Sequence, residues 1–220
     1  MTTNFTFRDF FVYLLAGLTL LISFGVIFFN DIFQMIVCFF GKYEFIENFS
    51  FLATIFLIPV IYLIGNLIGA LSYNLLQFYV IIDKYFKQSG KQMPRWKYFI
   101  LIKFQQLLYR QGVVYTIIKF IKSESNNKPF KNVDEFWTTC AKLQIKKNYT
   151  PAQYWYVLNE LFNSIYLIFV ISTITSFCTG QWILGIVYFI LAIFACNRAK
   201  QYADHFIQTV CRLTTASKSA

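Results

Sequence analysis

Histidine occurs once in these 220 residues, proline four times and acidic side chains ten times. The lone His205 removes any multi-histidine metal site and leaves a Ser-His-Asp triad without support. The five cysteines show no metal-ligand spacing, and there is no P-loop, H-E-x-x-H or G-x-G-x-x-G. We therefore expect no enzyme, no cofactor and no metal. Charge is scarce as well: 14% of residues are charged against 57% hydrophobic and 21% aromatic, and the mean hydropathy is +0.52. So few charges cannot solvate a soluble domain of this length, which points to a polytopic membrane protein.

What is present is long apolar runs. Phe51 to Ile82 holds thirty-two residues without a charged side chain; as a helix it would reach roughly 48 Å against a hydrocarbon core of about 30 Å, so one end should project. Four stretches are apolar enough to span: 10–29, 51–72, 161–177 and 182–196. The last is short and is expected to continue past Asn197. Arg8 precedes the first run, but its length and the lack of an A-x-A-like site mark a retained helix. Between Asp83 and Leu158 there are fourteen Lys or Arg against four Asp or Glu, and four against one after Cys196, whereas residues 30–50 carry one basic and three acidic side chains. The positive-inside rule then places both termini and the central segment in the cytoplasm of a cell whose inner membrane the chain crosses several times. Cys38 and Cys178 fall on the outer side, where one disulfide or two free thiols remain open.

The expected fold is all-α, with four transmembrane helices and a fused cytoplasmic helical layer. Residues 1–82 form the first helix pair, 83–149 a basic cytoplasmic region, 150–196 the second pair, and 197–220 a cytoplasmic helix and tail. Beyond Asn30 the run IFQMIVCFF is too short to cross, and should lie in the interface or re-enter. Pro59 should bend the second span. From Trp96 to Lys122, apolar positions such as Phe99, Val114, Ile117 and Ile121 alternate with basic ones, as in amphipathic helices, with Gly112 as a break. Asn132 and Glu135 form a capping-box pattern ahead of VDEFWTTCAKLQIKK. Thr150-Pro151-Ala152-Gln153 reads as N-cap, first turn and N3, opening a helix that runs to Gly180. The tail TTASKSA reads as disordered.

Three groups are candidate sites. Gly65, Gly69 and Ser72 form a small-residue face with the Asn66 amide beside it, suited either to an oligomer interface or pore lining, or to packing within the protomer. Asn159, Glu160, Asn163 and Ser164 cluster at the mouth of the third span. Around a symmetry axis Glu160 would attract cations at a vestibule, and otherwise it would pair with a neighbouring base. Lys84, Lys87, Lys91, Arg95, Lys97, Lys103 and Arg110 are interleaved with aromatics, which suits membrane lipids, a nucleotide or nucleic acid, or an acidic protein.

FRDFFVYLLAG at the start and YLIGNLIGALS in the second span resemble small four-helix inner-membrane proteins of bacteria that accompany anti-phage defence operons such as Kiwa. The resemblance implies a homo-oligomeric membrane component that detects or answers infection together with a cytosolic protein partner. It carries over no active-site residue. The functional expectation is an oligomeric sensor or scaffold that recruits this partner through the basic layer. The alternative is a ligand-gated ion channel or pore-forming effector.

Overall fold

The structure is a computed structural model in which residues 7–40, 57–72, 113–122, 130–145 and 149–219 are described. Among them there is no strand, and the elements are α1 (Phe7–Ile27), α2 (Phe29–Phe40), α3 (Leu57–Ser72), α4 (Val113–Lys122), α5 (Val133–Ile145), α6 (Thr150–Cys178) and α7 (Trp182–Ser219). Three of these helices, α1, α6 and α7, are long and apolar enough to cross a membrane. The described part of α3, Leu57–Ser72, would reach only about 24 Å and does not by itself meet a core of about 30 Å. The residues that would lengthen it, and those that decide whether Pro59 bends it, lie outside the described set.

The chain divides into two compact units. The first takes residues up to Leu71 and Ser164–Ala195, and the second takes Ser72–Asn163 and Cys196–Ala220. In the first unit α1 and α3 are antiparallel and meet at glycine. A Cβ on Gly17 would strike the Ile61 carbonyl, and one on Gly65 would strike the Tyr13 carbonyl. Backbones this close are possible only because one helix offers a glycine at each contact, Gly17 against Ile61 and Gly65 against Tyr13, which is how small residues join helices when lipid is as apolar as leucine. Phe10 stacks on Tyr62 beside this seam, with ring centroids 5.1 Å apart. The start of α7 is tied to the end of α1: the Gln181 side-chain amide donates to the Ile27 carbonyl at 2.7 Å and the Tyr188 hydroxyl to the Ser23 carbonyl at 3.0 Å. The Ile27 carbonyl is the last of α1, and the Ser23 carbonyl lies one turn before it. Phe28 alone separates α1 from α2, and hydrogen bonds from Phe28 to Phe24 and from Ile32 to Phe28 continue through it. The run expected as an interfacial or re-entrant piece is thus a 12-residue helix, at about 18 Å still too short to cross.

The α6–α7 turn follows from Gly180, whose φ of 77° is left-handed. Gln181 N–H donates to the Ser176 carbonyl at 2.8 Å and Gly180 N–H to the Phe177 carbonyl at 3.2 Å, a Schellman closure that satisfies two terminal carbonyls. At the other end of α6 the expected cap is displaced by one residue. Ala152 and Gln153 both donate to the Tyr149 carbonyl, so Thr150 is already helical and Pro151 is the second helical residue. Pro151 has no N–H to offer, and the first available donors reach back to Tyr149.

The second unit has its own core. Val113 and Ile117 from α4, Phe130, Phe136, Cys140 and Leu143 around α5, Ala152 from α6, and Ala203, Phe206, Ile207 and Val210 from α7 are buried together. Phe206 is its centre: the rings of Tyr156, Phe136, Trp137 and Tyr149 lie 5.5–6.4 Å away. Ala199 and Ala203, one turn apart and fully buried, leave room for these rings. The N-terminus of α5 carries the expected cap. Asn132 Oδ1 accepts from Glu135 N–H at 2.7 Å, and the Glu135 carboxylate accepts from Lys131 N–H at 2.7 Å, one residue before the position a capping box usually uses. Burial pushes the Cys140 thiol up to about 12, partly offset by its hydrogen bond with Tyr149; the Tyr149 hydroxyl is raised too, chiefly by burial. All five cysteines are free. Finally, the tail expected to be disordered stays helical to Ser219. Thr209, Thr214 and Thr215 each donate to the carbonyl four residues back, so their hydroxyls do not compete with the helix.

Candidate functional site

The i, i+4 spacing of Asn159 and Asn163 places both amides on one face of α6, and that face is turned inward. Asn159 Nδ2 donates to the Ala199 carbonyl of α7 at 2.6 Å, and Asn163 Nδ2 donates to Asn159 Oδ1 at 3.0 Å. Both residues are buried. The result is a two-amide ladder whose open end is Asn163 Oδ1, a buried acceptor without a hydrogen-bond partner. A buried amide bond is strong where water is excluded, and a leftover acceptor is correspondingly costly.

Ser164 is buried at 1% exposure in the first unit, where its hydroxyl lies 3.8 Å from the place a Cβ on Gly69 would occupy. Glu160 is half-buried and engaged in interactions. The four residues read from the sequence as one mouth therefore do not share one surface. Asn159, Asn163 and Ser164 are buried, while Glu160 retains partial exposure.

The glycine face of α3 has its partner within the protomer. Gly65 and Gly69 pack on Tyr13, and Gly65 also on Gly17 of α1. Ser72 is buried, and Asn66 is exposed on a helix whose Leu63, Leu67 and Leu71 are exposed too. Gly17 was not legible as the other half of this seam, since a lone glycine in an apolar run has no spacing to mark it. The basic cluster Lys84, Lys87, Lys91, Arg95, Lys97, Lys103 and Arg110 lies outside the described residues, as does the break expected at Gly112.

Two features were not read from the sequence. Ser172 and Ser176, one turn apart on α6, are fully buried and their hydroxyls have no hydrogen-bond partner. The second is a ladder of rings along α6 and α7: Trp155 stacks on Tyr202 at 5.8 Å and lies 4.9 Å from the His205 ring, Tyr154 meets Trp155 at 4.9 Å, and Phe162 meets Tyr202 at 5.3 Å. Spacing alone does not pair residues from two helices, although each ring falls near a boundary between apolar and charged sequence. Among the described residues no group of three or more His, Cys, Asp or Glu side chains converges on a metal position. No family model, curated protein or solved structure matches this chain.

Proposed function

We propose that this chain is a non-enzymatic, oligomeric inner-membrane sensor or scaffold, of the kind implied by its resemblance to membrane proteins of anti-phage defence operons, and that it recruits a cytosolic partner. The observation that carries the proposal is the closed aromatic core of the second unit, which supports a rigid helical surface with Lys119, Lys131, Lys142, Lys200 and Arg212 exposed. A chain that only anchors itself in lipid has no need of such a core. In this reading there are four spans, α3 extending into the preceding apolar run, and both termini are cytoplasmic. The antiparallel pairing of α1 with α7 supports termini on a common side. The burial of Asn159, Asn163 and Ser164 within a single protomer favours this reading over a pore lined from Glu160 inward.

The test is the mass of the tagged complex, extracted in mild detergent from its own host, with every co-purifying species identified. A multiple of 26.0 kDa carrying a stoichiometric soluble protein is expected. Retention of that protein should fall when Lys97, Lys103 and Arg110 are changed to Glu. A monomer that retains nothing, or a triple variant that retains its partner unchanged, refutes the proposal. Ion flux through liposomes holding the purified chain would restore the pore.

A further inference from the structure

One face of α7 changes character within a single turn. Ile183, Val187, Ile190 and Phe194 are exposed at helical spacing and wholly apolar. The next residues on the same face, Arg198, Gln201, His205, Gln208 and Arg212, are all exposed and polar. Four large apolar side chains in a row face lipid, and the residues that follow face water. The boundary therefore falls between Phe194 and Arg198. From Trp182 to Arg198 the helix rises about 24 Å, a little less than a hydrocarbon core of about 30 Å, so the Arg198 backbone comes no farther than the edge of the core and its long side chain reaches on to the lipid headgroups.

The Arg198 side chain fits that level. Its guanidinium donates to Gln201 Oε1 at 3.0 Å, which directs the charged head one turn away from the apolar segment. That bond uses one of five donors, and the fork geometry of the group matches a phosphate. Tyr202 follows Arg198 by one turn on the same side of α7 and carries the Trp155 ring, which also lies against His205, and half-exposed Trp and Tyr rings belong where one edge is apolar and the other wet. Lys200 is exposed on the far side of the helix, two residues on from Arg198, and Asp204 is the single acid after Cys196.

We propose that Arg198, with the Trp155–Tyr202–His205 stack, forms a binding site for the phosphate of an anionic membrane phospholipid. A zwitterionic ethanolamine headgroup would bring its ammonium toward the Arg198 guanidinium, so an anionic lipid is preferred. The inference rests on α7 crossing the membrane and is independent of any cytosolic partner.

The full chain is purified in mixed micelles of phosphatidylglycerol and phosphatidylethanolamine, and retained lipid is counted by native mass spectrometry. The wild type should retain phosphatidylglycerol in preference. Arg198→Gln should lower that retention roughly five-fold, the worth of one basic residue at a charged membrane surface, while Arg198→Lys keeps part of it. Arg212→Gln, on the same face but about 21 Å farther along, should change nothing. Equal retention by wild type and Arg198→Gln, an equal loss in Arg212→Gln, or no preference between the lipids overturns the proposal. Should Arg198→Gln fail to fold, vesicles containing lipid brominated near the headgroup decide. Tryptophan quenching should be weaker in Trp155→Phe than in wild type, and unchanged quenching overturns the proposal.

Discussion

Gly65→Ala should destabilise this protein although alanine is the better helix former. In open space the change favours a helix by about 1 kcal/mol. At Gly65 the new Cβ would collide with the Tyr13 carbonyl and lie 2.8 Å from the Gly17 nitrogen. Both are backbone atoms of α1, which cannot swing aside as a side-chain tip does. The helices must separate, and a gap of about 0.5–1 Å already forfeits a quarter to a half of each van der Waals contact across the seam. A net loss of roughly 1–3 kcal/mol is expected, as for overpacked cores generally. Gly25 is the internal control, because a Cβ there meets nothing within 4 Å. Thermal unfolding of both variants in one detergent, followed by tryptophan emission, should show Gly65→Ala melting several degrees below wild type and Gly25→Ala at or above it. Equal midpoints for the two variants would refute the close approach of α1 and α3.

In the second unit, Phe206→Ala empties the centre of four rings and should cost about 3–5 kcal/mol; trypsin cleavage in detergent should accelerate after Lys142 but not in a surface control such as Gln208→Ala. Asn132→Ala removes the acceptor for Glu135 N–H and should cost about 1 kcal/mol, with Asn132→Asp restoring most of it, both read from thermal midpoints. Cys140 should resist maleimide at pH 8 while the exposed Cys38 and Cys178 react, as peptide mapping of the labelled chain would show. Its thiol ionises near pH 9 in the unfolded chain but only near pH 12 when folded. The unfolded chain therefore binds fewer protons between these values, and stability falls as pH rises through that window. Cys140→Ala should show a shallower alkaline decline, and an identical slope would count against the buried thiol.

Much of the helical pattern was readable because its signals are local. Pro151 and Gly180 bracket α6, the Asn132–Glu135 spacing opens α5, and α7 runs on because nothing after Asn197 breaks it. The one-residue error at the start of α6 arose because Thr150 looks like a cap by residue type, whereas the hydrogen bonds are decided by which N–H groups exist around Pro151. Contacts between helices were less legible. The cluster of Asn159, Glu160, Asn163 and Ser164 could be read from the sequence, but which of them meets α7 and which faces outward is a question of rotation, and the sequence pattern of α6 is apolar nearly all round. Likewise, the bonds from Gln181 and Tyr188 join residues more than 150 positions apart to backbone carbonyls, which leave no side-chain signature at the accepting end. The tail was misjudged because a polar terminal stretch reads as frayed, while in the helix the hydroxyls of Thr214 and Thr215 bond backward.

Only Thr179, Gly180 and Gln181 separate α6 from α7. Since both helices are long and apolar enough to cross a membrane, so short a link should make them insert as a folded-over pair, neither taking its orientation without the other. Relocating the basic residues that flank Thr150 or Asn197 should therefore invert both segments together or neither. A reporter fused after Ser219 and a second one inserted ahead of Tyr149 would always report the same compartment.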